Sequence, residues 1–198
     1  MAAAALVASA ALSAQADTIV DTGTPNGQAI GAYTLDGNDA YAGQVSFAQG
    51  VSVVSIQTHL LGVDAGETFT LTLQADSAVH LPGAVLFSAT ATTSGEGWNG
   101  LGSLSGWNLD AGTYWVAVSV AAGDSLGSSS VTGALLDRGA PSPLQRTAFD
   151  AGGGFQATAA PLSIGLRIDA AAPVPEPATW LLWLGGAALL CARRMQRP

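Results

Sequence analysis

Basic residues and cysteine are almost absent from this sequence of 198 residues. It contains no lysine, six arginines and one cysteine, Cys191. Residues 17–174 have no cysteine, which excludes a disulfide framework and a thiolate metal site there. Thirteen acidic residues precede residue 175 against three arginines, which leaves this part with a net charge of about −10. Such a surface repels phosphate backbones, and we therefore exclude nucleic acid as a partner.

Helical periodicity is also missing from residues 17–169, where apolar and polar side chains alternate instead. This period of two is typical of half-buried strands in an antiparallel sheet. Three segments place every second side chain on one apolar face: Phe69, Leu71 and Leu73; Tyr114, Val116, Val118 and Val120; and Ile164, Leu166 and Ile168, with Arg167 on the wet side.

Four further strands and many turns complete this pattern. The strands are predicted at residues 29–35, 43–47, 51–61 and 85–93, with Gly- and Asp-rich turns between them. Residues 139–161 are rich in Gly, Pro and Ala and are predicted to form a long loop. We predict an all-β fold, an antiparallel β-sandwich that is jelly-roll-like.

The amino-terminal residues are small and almost wholly apolar. Ala14-Gln15-Ala16 before Asp17 fits the A-x-A cleavage pattern of a secretory signal, although no basic residue precedes the apolar run. We predict a signal peptide over residues 1–16 and export of the remaining chain.

A second apolar segment, residues 178–192, holds no charge and is followed by Arg193, Arg194 and Arg197. It predicts a single carboxy-terminal transmembrane helix with its arginine end in the cytoplasm. Fifteen helical residues rise about 22 Å, which is short of the ~30 Å hydrocarbon core. A segment this short fits a transient anchor better than a permanent one.

Pro175, Glu176 and Pro177 stand directly before this helix, and Arg193 and Arg194 stand directly after it. In that order the three parts resemble the PEP-CTERM sorting signal of Gram-negative bacteria. The resemblance covers residues 174–198 and implies recognition by exosortase, a membrane enzyme thought to act as a cysteine transpeptidase or protease. Since Cys191 lies inside the apolar segment, the catalytic cysteine would belong to that partner. The alternative is an ordinary single-pass anchor with a proline-rich stalk.

These segments predict four parts in the chain. They are a signal peptide over residues 1–16, an ectodomain over 17–169, a spacer over 170–174, and a sorting signal over 175–198. Residues 73–76, 81–83 and 107–115 resemble ectodomains often found ahead of PEP-CTERM tails. That second resemblance implies a sandwich fold and no particular chemistry.

The ectodomain offers few residues for catalysis or metal binding. Its histidines are His59, in a strand, and His80, in a loop. A serine triad needs a base that a carboxylate holds, and many serines with two unplaced histidines make a chance match easy, so we assign no catalytic residue and no cofactor. Asp36, Asn38 and Asp39 are weak calcium candidates. A solvated Asx turn explains these three residues better, and no metal site is predicted.

Trp98, Trp107 and Trp115 are the ectodomain's most suggestive residues. Exposed indoles stack on sugar rings, which makes these three residues candidates for carbohydrate binding. Tryptophans that fill a sandwich core are the more common case. Trp115 alternates with the apolar face of its strand, which leaves it pointing outward or toward another layer.

Together these patterns predict an exported, non-enzymatic protein. It would pass through an inner-membrane intermediate, held transiently by its carboxy-terminal helix, and reach the outer surface or the extracellular matrix after exosortase acts. The ectodomain would be structural or adhesive. The main alternative is a carbohydrate-binding module for exopolysaccharide, as in a biofilm, and a secreted hydrolase comes third.

Overall fold

The computed structural model describes residues 16–24, 32–33, 35–126, 134–135, 143–158 and 164–171. Within these ranges the chain is all-β and its sheets are antiparallel. The strands there are β1 Ala16–Asp21, β2 Ala32–Tyr33, β3 Asp39–Phe47, β4 Val51–Leu60, β5 Ala65–Asp76, β6 Pro82–Ser94, β7 Gly97–Leu101, β8 Trp107–Leu109, β9 Gly112–Ser119, β10 Ala134–Leu135, β11 Thr147–Ala151, β12 Gln156–Ala157 and β13 Leu166–Ala171.

Two larger sheets contain all of these strands except one short pair. Sheet 1 has the order β1-β13-β4-β7, and β8 also pairs with β4. Sheet 2 has the order β12-β11-β3-β9-β5-β6. Strands β2 and β10 pair only with each other in the described part of the chain.

The two sheets share one hydrophobic core, because each presents an apolar face to it. Leu71 and Leu73 of β5 and Ile56 of β4 are fully buried there. One polar contact crosses the core: the hydroxyls of Tyr41 on β3 and Thr58 on β4 lie 2.8 Å apart. Thr58 donates its proton to the carbonyl of Gly165, so the Tyr41 hydroxyl donates to Thr58.

Most of the predicted alternation is confirmed. Strands lie over the predicted segments at 43–47, 51–61, 68–74, 85–93 and 113–120. The segment predicted at 29–35 lies partly outside the described residues. The predicted inward residues of β5, β9 and the region of β13 belong to the core, and Arg167 points away from it: Phe69, Leu71, Leu73, Tyr114, Val116, Val118, Val120, Ile164, Leu166 and Ile168.

The predicted long loop at 139–161 is wrong in part, because it contains β11 and β12. Strand β11 pairs with β3 over five residues, from Thr147 opposite Gly43 to Ala151 opposite Asp39. Ala148 of this strand is fully buried. The surrounding Gly and Pro residues concealed a strand that is stabilised by pairing with residues more than 100 positions away.

The last strand also extends beyond the boundary predicted for the ectodomain. Strand β13 runs to Ala171, two residues into the predicted spacer, and Ala170 is buried opposite Val53. At the other end β1 begins at Ala16, the last residue of the predicted signal peptide.

No helix among the described residues is long and apolar enough to cross a membrane. The predicted transmembrane helix at 178–192 and signal-peptide residues 1–15 lie outside the described residues.

Candidate functional site

The outer face of sheet 1 brings Trp98 together with two polar side chains. Trp98 on β7 lies directly opposite His59 on β4, and their ring centroids are 5.4 Å apart at 85°, an edge-to-face contact. The guanidinium carbon of Arg167 on β13 lies 4.2 Å from the centre of the indole, which is a cation–π contact. Trp98 is partly exposed, so this cluster reaches the surface.

Arg167 is held in this position by a second partner. Its Nε and Nη2 atoms donate to Oδ2 of Asp21 on β1, at 3.2 and 3.0 Å. Strands β1 and β13 are neighbours in sheet 1, and β13 is the neighbour of β4. These side-chain contacts run from Asp21 through Arg167 and Trp98 to His59, and together they span the whole width of the sheet.

His59 is an unusual member of this cluster because it is buried. Only 8% of the residue is exposed, and its Nδ1 atom has no hydrogen-bond partner among the described residues. Burial lowers the pKa of His59 below the ordinary 6.5, and the nearby carboxylate of Glu96 opposes that shift. We therefore expect the imidazole to be neutral at pH 7.

The other two candidate tryptophans are buried. Trp107 on β8 is 9% exposed and stacks on Phe87 of β6, with ring centroids 5.1 Å apart and 16° between the planes. Trp115 on β9 is 0% exposed. Of the three indole rings, only that of Trp98 is exposed enough for a ligand to contact it.

Trp115 is buried away from the main core, on the outer face of sheet 2. It belongs there to a small second cluster with Ala42, Ala117 and Ala148, against which Leu81 and Phe155 pack. Leu81 lies in the turn between β5 and β6, and Phe155 follows β11. The sequence left two directions open for Trp115, outward to solvent or toward another layer, and the structure shows the second, because residues from two loops cover it.

Asp76, the last residue of β5, joins this cluster to polar groups. Its Oδ1 atom accepts hydrogen bonds from Trp115 Nε1 at 2.8 Å and from Gln44 Nε2 at 2.9 Å. Its Oδ2 atom lies 2.8 Å from Nδ1 of His80, which is exposed in the turn that follows. His80 has a φ of 57°, which is uncommon for a residue other than glycine.

The surroundings of Asp76 shift its titration. Burial by itself would raise the pKa, but the hydrogen bonds from His80, Trp115 and Gln44 outweigh it and hold the pKa below the ordinary 3.8. The carboxylate is therefore the stable form in the folded protein at neutral pH.

The contact between the Asp76 carboxylate and the His80 imidazole is of the kind that orients the base in a catalytic triad. No serine or threonine hydroxyl is hydrogen-bonded to the His80 ring in the part of the chain that the structure describes. The contacts of Asp76 attach the turn between β5 and β6 to the sheet.

The three segments that carry the second resemblance meet in this cluster. Residues 73–76 contribute Asp76, residues 81–83 contribute Leu81, and residues 107–115 contribute Trp115. Sequence reasoning named Trp115 and His80 but missed the importance of Asp76 and Gln44. The four-residue spacing of Asp76 and His80 across a turn is a local signal that could have indicated their contact.

The weak calcium candidates lie in the turn that leads into β3, whose first residue is Asp39. The backbone N–H of Asn38 donates to Oδ1 of Asp36 at 2.9 Å, and the N–H of Asp39 donates to the Asp36 carbonyl at 2.9 Å. This is the Asx-turn geometry. No group of three or more potential metal ligands occurs among the described residues.

The sorting-motif residues Pro175, Glu176, Pro177, Arg193 and Arg194 lie outside the described residues. No protein-family model matches the chain, and no curated protein matches it.

Proposed function

We propose that this protein is exported and then sorted by exosortase to the outer surface or the extracellular matrix. The tail carries this proposal: Pro175, Glu176 and Pro177, an apolar segment, and the arginines at 193–194 occur in the order of a PEP-CTERM signal. The alanine-rich segment before Asp17 supports it, because export must precede sorting. The finer architecture that we propose is a jelly-roll-like β-sandwich followed by a transmembrane helix at 178–192.

The role we propose for the β-domain is structural or adhesive. Its outer face on β5 and β6 carries hydroxyl side chains in directly opposed pairs, an uncharged surface suited to hydrogen bonding with a hydrated polymer. The pairs are Thr68 with Thr92, Thr70 with Thr90, and Thr72 with Ser88.

Processing in the native host tests the sorting proposal. Surface material should begin near Asp17 and lack residues 193–198 when its intact mass is measured. Deletion of residues 175–177 should leave export unchanged but retain the chain in the inner membrane. Deletion of residues 172–174 removes the same length from the spacer and should not prevent sorting. If surface material kept the full carboxy terminus, the tail would be an ordinary membrane anchor and the sorting proposal would be wrong.

Carbohydrate binding is the alternative role, and the position of Trp98 favours it over the other tryptophans. A partly exposed indole flanked by an arginine and a histidine combines a stacking surface with hydrogen-bond donors, as sugar sites require. The ligand would be a neutral or weakly charged polysaccharide, since the chain is strongly acidic.

Two substitutions at this position separate binding from stability. Trp98→Ala should abolish retention on the host exopolysaccharide and lower the free energy of unfolding only modestly, because the indole is partly exposed. Trp98→Phe keeps an aromatic surface and should retain part of the binding. Unchanged retention by Trp98→Ala would rule out this role for the cluster.

A further inference from the structure

One edge of sheet 2 is a long strand with a free side. Strand β6, Pro82–Ser94, has 13 residues and is the last strand of the sheet. Among the described residues β6 pairs with β5. The backbone N–H and C=O groups on its other side are therefore not hydrogen-bonded to a second strand in that part of the chain. Unpaired N–H and C=O groups along a strand are a template for pairing with another strand.

After Pro82, its first residue, the composition of β6 leaves this edge without protecting side chains. None of its 13 residues is charged, although the chain as a whole has a formal charge of −8. Val85 is 55% exposed and Leu86 is 44% exposed, and both lie where the register with β5 shifts. Beyond that shift the pairing is unbroken from Phe87 to Thr92, which provides a regular segment of six residues.

The other described sheet edges carry the features that prevent pairing. Strand β1 is acidic at both ends of its exposed edge, with Asp17 and Asp21. On the opposite side of sheet 1, β7 has five residues and β8 has three. Strand β12, the other edge of sheet 2, has two residues. Short strands, charged side chains, proline and β-bulges are how natural proteins block edge-to-edge association. In β6 the proline, Pro82, and the register shifts lie outside residues 87–92, and that segment has none of these features.

We propose that β6 is a self-association surface, at which two copies of this chain pair β6 with β6 in antiparallel orientation about a two-fold axis. The six-stranded sheets of the two copies would join into one continuous sheet. The occupant is a second copy because the edge is self-complementary: it is uncharged, so two acidic molecules meet there with the least repulsion. This inference is independent of export and sorting.

The test uses the full chain in a mild detergent, with its association followed by analytical ultracentrifugation. The wild-type protein should form a concentration-dependent dimer. Val85→Lys combined with Leu86→Lys places two charges beside the edge and should raise the dimer dissociation constant by about tenfold or more. Both side chains are exposed, so the variant should keep the wild-type melting temperature. Because the variant keeps the carboxy-terminal tail, association through the tail would survive and would overturn the proposal.

Two control substitutions make the result specific for the edge. Ile19→Lys introduces one lysine on β1, at a residue that is 38% exposed. Val79→Lys does so at the most exposed of the large apolar residues described, 74% exposed, in the turn before β6. Neither should change the dissociation constant. An equal effect of Val79→Lys would mean that an apolar patch, and not strand pairing, holds the dimer.

Hydrogen exchange gives an independent readout of the strand itself. In residues 87–92 the amides bonded to β5 should be protected at all protein concentrations. The alternate amides, which face the free edge, should become protected only at concentrations where the dimer forms. Protection of these alternate amides in the monomer would show that another part of the same chain covers the edge, and would overturn the proposal.

Discussion

At the scale of the residue, Asp76 connects three elements of sheet 2. Its carboxylate accepts bonds from Gln44 on β3 and Trp115 on β9, and it contacts His80 in the turn that leads to β6. The indole N–H of Trp115 is satisfied by this carboxylate while its ring is covered by apolar side chains. Charge-assisted hydrogen bonds of this kind are stronger than neutral ones. Asp76 therefore fixes the turn over the outer face of the sheet.

Trp115→Ala should lower the free energy of unfolding by about 3–5 kcal/mol, because a fully buried indole is removed. Trp115→Phe keeps a ring but deletes the donor to Asp76, and we expect a loss of about 1–3 kcal/mol. Denaturant unfolding measures both values. A Trp115→Ala variant as stable as the wild type would mean that the indole contributes little to the covering layer.

The depressed pKa of Asp76 predicts a loss of stability in acid. Because the folded pKa lies below the ordinary 3.8, this contribution is fully present above about pH 4 and is lost as the pH falls through the folded pKa. Asp76→Asn should be less stable than the wild type at neutral pH and should depend less on pH below pH 4. Unfolding curves at a series of pH values provide the measurement.

Asp39 supplies a control of opposite sign for that experiment. Burial, followed by the charges of Asp36 and Asp150, raises its pKa above 3.8. The ionised form is therefore disfavoured in the folded state, and removal of this charge by Asp39→Asn should not reduce stability at neutral pH. If both variants gave the same pH dependence, the shift assigned to Asp76 would be wrong.

At the scale of the element, β5 shows how alternation positions a strand. Phe69, Leu71 and Leu73 are at most 1% exposed, and the threonines between them point outward. The strand lies between β9 and β6, so it is paired on both sides. A change on its inner face therefore cannot be relieved by moving the strand.

Leu71→Asp should unfold the domain or lower the free energy of unfolding by several kcal/mol, because it places an unpaired charge in the shared core. Thr70→Asp puts the same side chain one residue away on the outer face and should be tolerated. Circular dichroism and thermal melting distinguish the two. Equal destabilisation by both variants would mean that the strand, and not its inner face, is sensitive.

Strands β11 and β12 lie within the predicted loop, and local sequence patterns could not predict them. Strand β11 is five residues long and follows a Pro-rich stretch, so no window of the sequence distinguishes it from a loop. It exists because β3 offers an edge and because Ala148 packs beside Ala42 and Trp115. Tertiary pairing overrides weak local propensity in such short strands.

At the scale of the whole molecule, the two sheets depend on strands from both ends of the described chain. Strand β13 lies between β1 and β4, and its inward residues Leu166 and Ile168 are buried in the shared core. A chain that ends after Ala171 should retain the cooperative melting transition of the full chain. A chain that ends after Gly165 should lose it, because sheet 1 is then split. Differential scanning calorimetry of the two chains provides the comparison.

The sequence alone determined the longer alternating strands, their inner faces and the overall all-β class, because a pleated strand repeats every two residues and its apolar set can be buried in only one way. The residue types in the sequence also identified candidates for binding sugar or metal, but the sequence did not show what surrounds each candidate. Only the tertiary structure decided that Trp115 is covered while Trp98 reaches the surface. The contact that holds Trp115 joins residues 39 positions apart, and the cation over Trp98 comes from Arg167 on another strand. Such contacts depend on which strands become neighbours in a sheet, and a local sequence pattern does not predict which strands pair.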